Sequence, residues 1–225
     1  MQQARHFERT ITKQVELNYL LHLPPKKGKK KHPLIVFLHG HGESGDDLEK
    51  VKVHGIPRIV EEQPDFPFIC VSPQCPIGVT WVLISDAVEA LVLEMLQRDD
   101  VDASRVYLTG LSMGGYGTWH VGVQRPDLFA ALAPICGGGS FVNYLPMRLP
   151  RLKDVPVWAF HGADDQIVLL EEQQRLVDAL KLNKGAEVRF TVYPGVGHDS
   201  WTQTYANAEL YKWFLKHKKK LKVES

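Results

Sequence analysis

VYLTGLSMGG, residues 106–115, is a short apolar run that ends at a serine between two glycines. The run predicts a buried strand, and the residues that follow Gly114 are compatible with a helix. The pattern G-x-S-x-G between a strand and a helix is typical of a nucleophile elbow, a turn too tight for side chains at its flanking positions. Ser112 is therefore a candidate nucleophile. A serine hydroxyl needs a base, an acid that orients the base, and donors for an oxyanion.

Strand-like and helix-like segments alternate along the chain on both sides of this elbow. The alternation implies βαβ crossovers and predicts an α/β fold, with a mostly parallel central sheet covered by helices on both faces. The predicted strands are 34–40, 68–72, 106–111, 129–136, 155–161 and 188–193, and the predicted helices are 86–98, 115–123, 169–182 and 204–216.

Length and local pattern predict a single domain, residues 1–225. The alternation in ITKQVELNYLLHL (11–23) predicts an antiparallel edge hairpin within residues 1–33. Only 15 residues (140–154) separate the GGG loop from the next predicted strand, which is too few for a large cap domain.

The base and the acid are expected in loops that follow the carboxyl ends of strands, where parallel sheets carry their functional residues. His198 lies in such a loop, PGVGHDSW, and could reach Ser112 to exchange protons with it. The loop in WAFHGADDQIV offers two carboxylates, Asp164 and Asp165, and periodicity does not choose between them. Either gives the chain order serine, aspartate, histidine.

Donors for an oxyanion are expected from backbone N–H groups. One comes from the residue after the nucleophile, Met113, and the other from the loop that follows an early strand, at His41. Gly40 and Gly42 flank His41 and allow its backbone to approach a substrate.

Two other chemistries fit the same early loop less well. Residues 40–45, GHGESG, match the dinucleotide fingerprint G-x-G-x-x-G, but the next strand-like run ends without the acidic residue that would hold a ribose. His39 and His41 could chelate a metal, yet Glu43 and Ser44 stand where an H-x-H-x-D-H motif needs Asp and His. We therefore expect neither a metal nor an organic cofactor.

Composition gives no general argument for a charged partner. The chain has 27 Lys+Arg and 26 Asp+Glu, a formal net charge of +1, so neither nucleic acid nor a membrane is expected as a partner. Two lysine clusters, within 26–31 and 216–222, are interpreted as solvated surface, with a nucleic-acid or lipid patch as the alternative.

Three cysteines, Cys70, Cys75 and Cys136, are an odd number and are interpreted as reduced, mostly buried thiols. The N-terminal sequence contains no apolar signal-like run, and no apolar stretch approaches transmembrane length. These features together predict a cytoplasmic protein. The sequence leaves the oligomeric state open.

With these residues in place, the chain resembles the α/β-hydrolase serine esterases, and within them the phospholipase/carboxylesterase and dienelactone-hydrolase-like group. The resemblance extends from about residue 34 to the C-terminus. It implies that Ser112 is the nucleophile and His198 the base, and its pattern H-G-x-x-D-x-x-V selects Asp165 as the acid. The segments that carry it are LHGHGESGDDLEKV (38–51), VSPQCP (71–76), VDASRVYLTGLSMGGYGTW (101–119), FAALAPICGGG (129–139), FHGADDQIV (160–168) and GVGHDSW (195–201).

Two features depart from this group. Members usually carry a small or apolar residue at the position of His41, and the dienelactone hydrolases themselves use a cysteine nucleophile. Because the oxyanion donor is a backbone N–H, a histidine there is compatible with catalysis. The serine at position 112 favours the esterase branch.

The resemblance implies a serine carboxylester hydrolase that acts through an acyl-enzyme on short-chain or aryl esters, with a small-molecule ester as its substrate. A thioesterase, an aminopeptidase-like hydrolase and a non-catalytic binding module are the alternatives. The candidates to line the substrate site are Trp81, Trp201 and Leu145. Leu145 could form a small flap over the site, together with Phe141, Tyr144 and Met147. Ordinary packing is the alternative for each.

Overall fold

The computed structural model describes residues 2–25, 31–139, 145–183, 185 and 187–220, which form one α/β domain around a seven-stranded sheet. The strands lie in the order β1-β3-β2-β4-β5-β6-β7, and all are parallel except β1, which pairs antiparallel with β3. Their bounds are β1 Tyr19–His22, β2 His32–Leu38, β3 Ile69–Pro73, β4 Val101–Leu111, β5 Ala131–Ile135, β6 Val157–Gly162 and β7 Val188–Tyr193.

Helices cover both faces of the sheet, as predicted. The apolar residues of α2, α3 and α5 pack on one face, and those of α1, α6 and α7 pack on the other. None of the helices in the described residues is both long and apolar enough to cross a membrane. The helices are α1 Gly55–Glu62, α2 Ser85–Leu96, α3 Met113–Gln124, α4 Leu145–Arg148, α5 Leu170–Lys181, α6 Trp201–Ala206 and α7 Ala208–Lys216.

Strand β2 shows why the central strands are uniformly apolar. Leu34, Val36 and Leu38 belong to the core on the face of α2 and α3, whereas Ile35 and Phe37 belong to the core on the opposite face. Successive side chains of a strand point to opposite faces, so a strand covered on both sides needs an apolar residue at every position.

The predicted helix 204–216 is divided in two at Asn207. This residue has an extended backbone, and its side chain accepts a hydrogen bond from the Glu209 N–H at 3.0 Å. Asparagine is a favoured N-cap because its side-chain oxygen satisfies one of the free N–H groups of the first turn. The chain therefore ends α6 and starts α7 at this point instead of continuing one helix.

The edge hairpin expected within residues 1–33 is not formed by the described residues. Residues 2–18 contain no strand, and β1 pairs with β3 rather than with a neighbouring strand of a hairpin. Upstream of β1, Lys13 Nζ instead donates to Asp86 Oδ2 of α2 at 2.6 Å. A single four-residue strand, β1, occupies the antiparallel edge of the sheet.

Candidate active site

Ser112 stands between the end of β4 and the start of α3 in a backbone conformation that side-chain-bearing residues rarely adopt. Its φ is 52° and its ψ is −116°. A residue with a Cβ is strained in this region and stays there only when the surrounding structure enforces it. The geometry is that of the nucleophile elbow expected from the sequence.

The two glycines of the elbow enforce this conformation by letting backbones touch. A Cβ atom on Gly114 would overlap the carbonyl group of Leu38, at the end of β2. A Cβ atom on Gly110 would overlap the Gly114 carbonyl and lie 2.7 Å from the Leu38 oxygen. Only glycine therefore lets α3 begin directly against β2, so that Ser112 lies beside the loop that follows β2.

Ser112, His198 and Asp165 form one hydrogen-bonded series. The Nε2 atom of His198 lies 2.9 Å from Ser112 Oγ, and its Nδ1 atom lies 2.7 Å from Asp165 Oδ2. A carboxylate accepts hydrogen bonds, so the ring proton is on Nδ1 and Nε2 is free to accept the serine proton. The His198 side chain is 19% exposed and the Asp165 side chain is fully buried.

Asp165 is the carboxylate at His198, and Asp164 is solvent-exposed. The second oxygen of Asp165, Oδ1, accepts the backbone N–H groups of Ile167 at 2.9 Å and Val168 at 3.0 Å. A buried charge is costly unless it is paired and hydrogen-bonded, and these bonds supply that compensation.

His161 is a further polar residue beside the Asp165 carboxylate, and it was not among the site residues predicted from the sequence. Its Nε2 atom donates to the Val168 carbonyl at 2.9 Å and lies 3.3 Å from Asp165 Oδ2. Burial lowers the pKa of His161, so the ring is neutral at pH 7 and adds no positive charge beside Asp165.

The loops that carry the acid and the base are packed against each other. A Cβ atom on Gly162 would overlap the carbonyl groups of Val196 and Gly197. The Asp164 N–H donates to the Val196 carbonyl at 2.9 Å, and the Ala163 N–H donates to the Tyr193 carbonyl at 2.9 Å. These contacts fix the separation between the two loops, and hence the distance between Asp165 and His198.

The loop after β2 lies against the nucleophile. A Cβ atom on Gly40 would be 3.7 Å from Ser112 Cβ, which places this backbone beside the elbow. The next peptide group carries the His41 N–H, one of the two expected oxyanion donors. The other, the Met113 N–H, belongs to the first residue of α3, where helical N–H groups have no partner within the helix.

His39 holds the peptide group between Gly40 and His41. The Cys75 N–H donates to His39 Nε2 at 2.9 Å, so the ring proton is on Nδ1, which donates to the Gly40 carbonyl at 2.5 Å. In a trans peptide the C=O and N–H point in opposite directions. The bond that fixes the Gly40 carbonyl therefore also fixes the direction of the His41 N–H.

His39 and His41, considered above as a metal pair, lie in different surroundings. His39 is buried and both of its ring nitrogens are used in hydrogen bonds, whereas the His41 side chain is exposed. Burial lowers the pKa of His39 to about 4, so the ring is neutral at pH 7. His39 therefore supports the loop as a neutral group.

Two of the three predicted substrate-lining residues belong to the protein core, which corrects that prediction. Trp81 is fully buried, and its Nε1 atom donates to the His39 carbonyl at 2.9 Å. Leu145, at the start of α4, is 1% exposed and belongs to the same core as α3 and α5. An apolar residue in a loop near the site satisfies the same sequence pattern whether it packs inward or faces the substrate.

Trp201 is the predicted lining residue that does contact the catalytic candidates. Its half-buried ring packs edge-on against the His198 ring, with centroids 5.3 Å apart, and against the His54 ring at 5.5 Å. Met147 is exposed on α4, and Phe141 and Tyr144 lie outside the described residues.

The buried neutral His39 makes stability depend on pH. Its pKa is about 4 in the folded protein and near 6.5 in the unfolded chain, so the unfolded chain binds more protons between these values. The stabilisation is present above pH 6.5 and is lost as the pH falls towards 4. Between pH 7 and pH 5 the wild type should lose about 2 kcal/mol more unfolding free energy than His39→Asn, which does not titrate.

Urea denaturation at the two pH values measures this difference. The matched control is His6→Asn, which removes an exposed histidine and should follow the wild type. If the wild type and His39→Asn lose the same unfolding free energy between pH 7 and pH 5, the assignment of His39 as a buried neutral group is contradicted.

Comparison with known protein families and structures places the chain among esterases. Residues 80–212, more than half of the chain, match the family model described as the dienelactone hydrolase family. The chain is 29% identical over 167 residues to acyl-protein thioesterase 1 homolog 2 of Dictyostelium discoideum, covering 63% of this chain and 74% of that protein. It is 25% identical over 191 residues to carboxylesterase SOBER1 of Arabidopsis thaliana, covering 73% and 82% respectively.

Solved structures give the same fold. A crystal structure of a thermostable esterase matches with a TM-score of 0.81 and 35% identity, over 91% of this chain and 60% of that one. The chain thus spans less than two thirds of that esterase. Est1E from Butyrivibrio proteoclasticus, solved with bound ferulic acid, matches with a TM-score of 0.63 and 17% identity. The match covers 89% of this chain and 94% of Est1E.

The resemblance drawn from the sequence motifs is confirmed by these matches. The fold is that of the α/β-hydrolases, and the similar proteins include a carboxylesterase, a thioesterase and a thermostable esterase of known structure. The chain belongs to the dienelactone hydrolase family and is an esterase-like α/β-hydrolase.

Proposed function

We propose that the protein is a serine carboxylester hydrolase that acts through an acyl-enzyme on Ser112, with no metal or organic cofactor. The observation that carries the proposal is the unbroken series of hydrogen bonds from Ser112 Oγ through His198 to Asp165. In this series the Ser112 hydroxyl can donate to Nε2 while the Nδ1–H group donates to Asp165, which is the arrangement of protons that the reaction requires.

In the first half of the reaction, His198 Nε2 takes the Ser112 proton as Oγ attacks the ester carbonyl carbon. The carbonyl oxygen becomes an oxyanion, which the N–H groups of His41 and Met113 stabilise. Asp165 compensates the charge of the imidazolium. His198 then returns the proton to the leaving alkoxide as the C–O bond breaks, which releases an alcohol and leaves the acyl group on Ser112.

In the second half, water takes the place of the alcohol. His198 accepts a proton from the water, the resulting hydroxide attacks the acyl carbon, and the same N–H groups stabilise the second oxyanion. Collapse of this intermediate breaks the acyl–Oγ bond and returns the proton to Ser112, so that a carboxylic acid leaves and the enzyme is regenerated.

We propose short-chain or aryl esters as the substrate class. The Trp201 ring beside His198 supports this, because an aromatic ring can pack against an aryl group close to the reacting carbonyl. Ferulic acid, the ligand in the Est1E structure, is an aromatic carboxylic acid. A thioesterase is the second candidate, since acyl-protein thioesterases are among the relatives.

Turnover of three substrates with the same short acyl group tests the class of bond. A p-nitrophenyl ester should give the highest kcat/KM, above a thioester and far above an anilide, because an amine leaves with more difficulty than a phenoxide. Ser112→Ala should reduce ester turnover by about 10³-fold or more. Ser104→Ala, a serine at the start of β4, is the matched control and should leave it unchanged.

A preference for the thioester would favour the second candidate, and a preference for the anilide would contradict the esterase proposal. Ester turnover that survives in Ser112→Ala would contradict the proposed nucleophile.

The two neighbouring aspartates provide an internal test of the acid. Asp165→Asn should lower kcat by about 10³- to 10⁴-fold, because an amide removes the negative charge and allows the wrong histidine tautomer. Asp164→Asn, one residue away and exposed, should keep turnover near that of the wild type. Steady-state kinetics of both variants measure this, and a larger loss in Asp164→Asn would reassign the acid.

We also infer a cytoplasmic location. Cys70, Cys75 and Cys136 are unpaired and buried, which supports a reducing environment.

A further inference from the structure

A cleft of about 850 Å³ lies at the edge of the sheet opposite Ser112. Its walls come from residues 125–129, which precede β5, from Arg151, Asp154 and Val155, which precede β6, and from Lys218 to Lys220 beyond α7. Because the strands are parallel, these amino-terminal ends lie on the other side of the molecule from the carboxyl ends that carry the catalytic candidates.

The charge of the cleft is positive. Its lining contains five cationic side chains and only two carboxylates. Both carboxylates already have cationic partners: Asp127 accepts two hydrogen bonds from Arg125, at 2.9 and 2.7 Å, and Asp154 lies 3.0 Å from Lys153 Nζ. Arg125 also pairs with Glu89 of α2. Positive charge in a concave surface concentrates anions more strongly than the same charge on a convex one.

Within the part of the chain that the structure describes, four of the cations form no salt bridge, and only Lys219 has a carboxylate, Asp127, acting on it at longer range: Arg151, Lys218, Lys219 and Lys220. Arg151 Nη2 donates to the Gln124 carbonyl at 2.9 Å, and Lys219 Nζ donates to the Asp127 carbonyl at 2.9 Å. Carbonyl acceptors hold these two side chains in place without neutralising their charge. Their remaining N–H groups can therefore donate to a ligand.

Lys219 is the most constrained of these cations. Its backbone N–H donates to the Ser104 carbonyl at 2.9 Å, which fixes the segment after α7 along the start of β4. Burial lowers the pKa of its ammonium group, and the nearby Arg125 lowers it further, against the opposing effect of Asp127. A partly desolvated ammonium group whose pKa is still lowered, despite Asp127, is stabilised further by an additional anion beside it.

The floor of the cleft is apolar. Leu128, Phe129 and Val155 are at most 4% exposed, and Leu93 of α2 forms a partly exposed rim. The volume lies within the range of small-molecule sites, about 300–1,000 Å³, and such sites combine an apolar surface with a few polar groups. A ligand that fits has an anionic group for the cations and a compact carbon body for the floor.

We propose that this cleft binds a small phosphorylated molecule, with the phosphate held by Arg151 and Lys219. A phosphate offers several acceptor oxygens and about two negative charges at neutral pH, which matches two fixed donors among further lysines. The site is separate from the esterase centre, and the proposal does not depend on the proposed function.

Calorimetric titration of the full chain with phenyl phosphate tests the proposal. We expect saturable binding that weakens as salt is raised. The double variant Arg151→Gln/Lys219→Gln should weaken it by about tenfold or more, since it removes two charge-assisted contacts. The matched control is Lys181→Gln, an exposed lysine of α5 outside the cleft, which should bind within twofold of the wild type.

A far-UV circular dichroism spectrum and a thermal midpoint equal to those of the wild type would show that the double variant is folded. If it does not fold, Lys218→Gln/Lys220→Gln, which alters two exposed lining residues, should still weaken binding by about threefold. Absence of binding at millimolar phenyl phosphate, or equal binding by wild type and variants, would overturn the proposal.

A phosphate can also be presented by a lipid headgroup, and a second arm separates these sources. Sedimentation with phosphatidylcholine vesicles, with and without phosphatidylserine, should show no binding that depends on the cleft cations. Vesicle binding that is lost in the double variant, without binding of phenyl phosphate, would overturn the small-molecule proposal in favour of a membrane surface.

Discussion

Direct contact between the backbones of β2, β4 and α3 is the constraint on which the candidate site depends. The carbonyl group of Leu38 occupies the space that a side chain on Gly114 would need, and the Gly114 carbonyl does the same for Gly110. With these contacts, α3 begins against the end of β2, Ser112 is held at positive φ, and the loop after β2 passes beside it. A nucleophile and an oxyanion loop from distant parts of the chain become neighbours because no side chain separates them.

Much of this arrangement could be predicted from the sequence, because closely spaced glycines indicate a turn without room for side chains and apolar runs indicate buried strands. G-x-S-x-G marked the tight turn, and continuous apolar runs marked strands buried on both faces. The rule that functional loops follow the carboxyl ends of parallel strands then predicts that His198 lies near Ser112. This rule could not decide whether Asp164 or Asp165 is the acid, because the two aspartates are adjacent and lie in the same loop after the same strand.

What the sequence did not indicate depends on packing and on hydrogen-bond partners. Nothing in the residues around His39 marks it as a neutral donor to the Gly40 carbonyl, since the Cys75 N–H that sets its tautomer comes from the loop after β3. Trp81 resembled a substrate contact but supports the His39 backbone from the core. The break at Asn207 needed the capping geometry of α7, because the apolar pattern continues across it.

Labelling with a fluorophosphonate tests the central claim most directly, because this reagent phosphonylates only a serine activated by a neighbouring base. We expect one covalent adduct per chain, located by mass spectrometry on Ser112, and no adduct in Ser112→Ala. Well-folded wild-type protein that stays unlabelled, or an adduct on another serine, would contradict it.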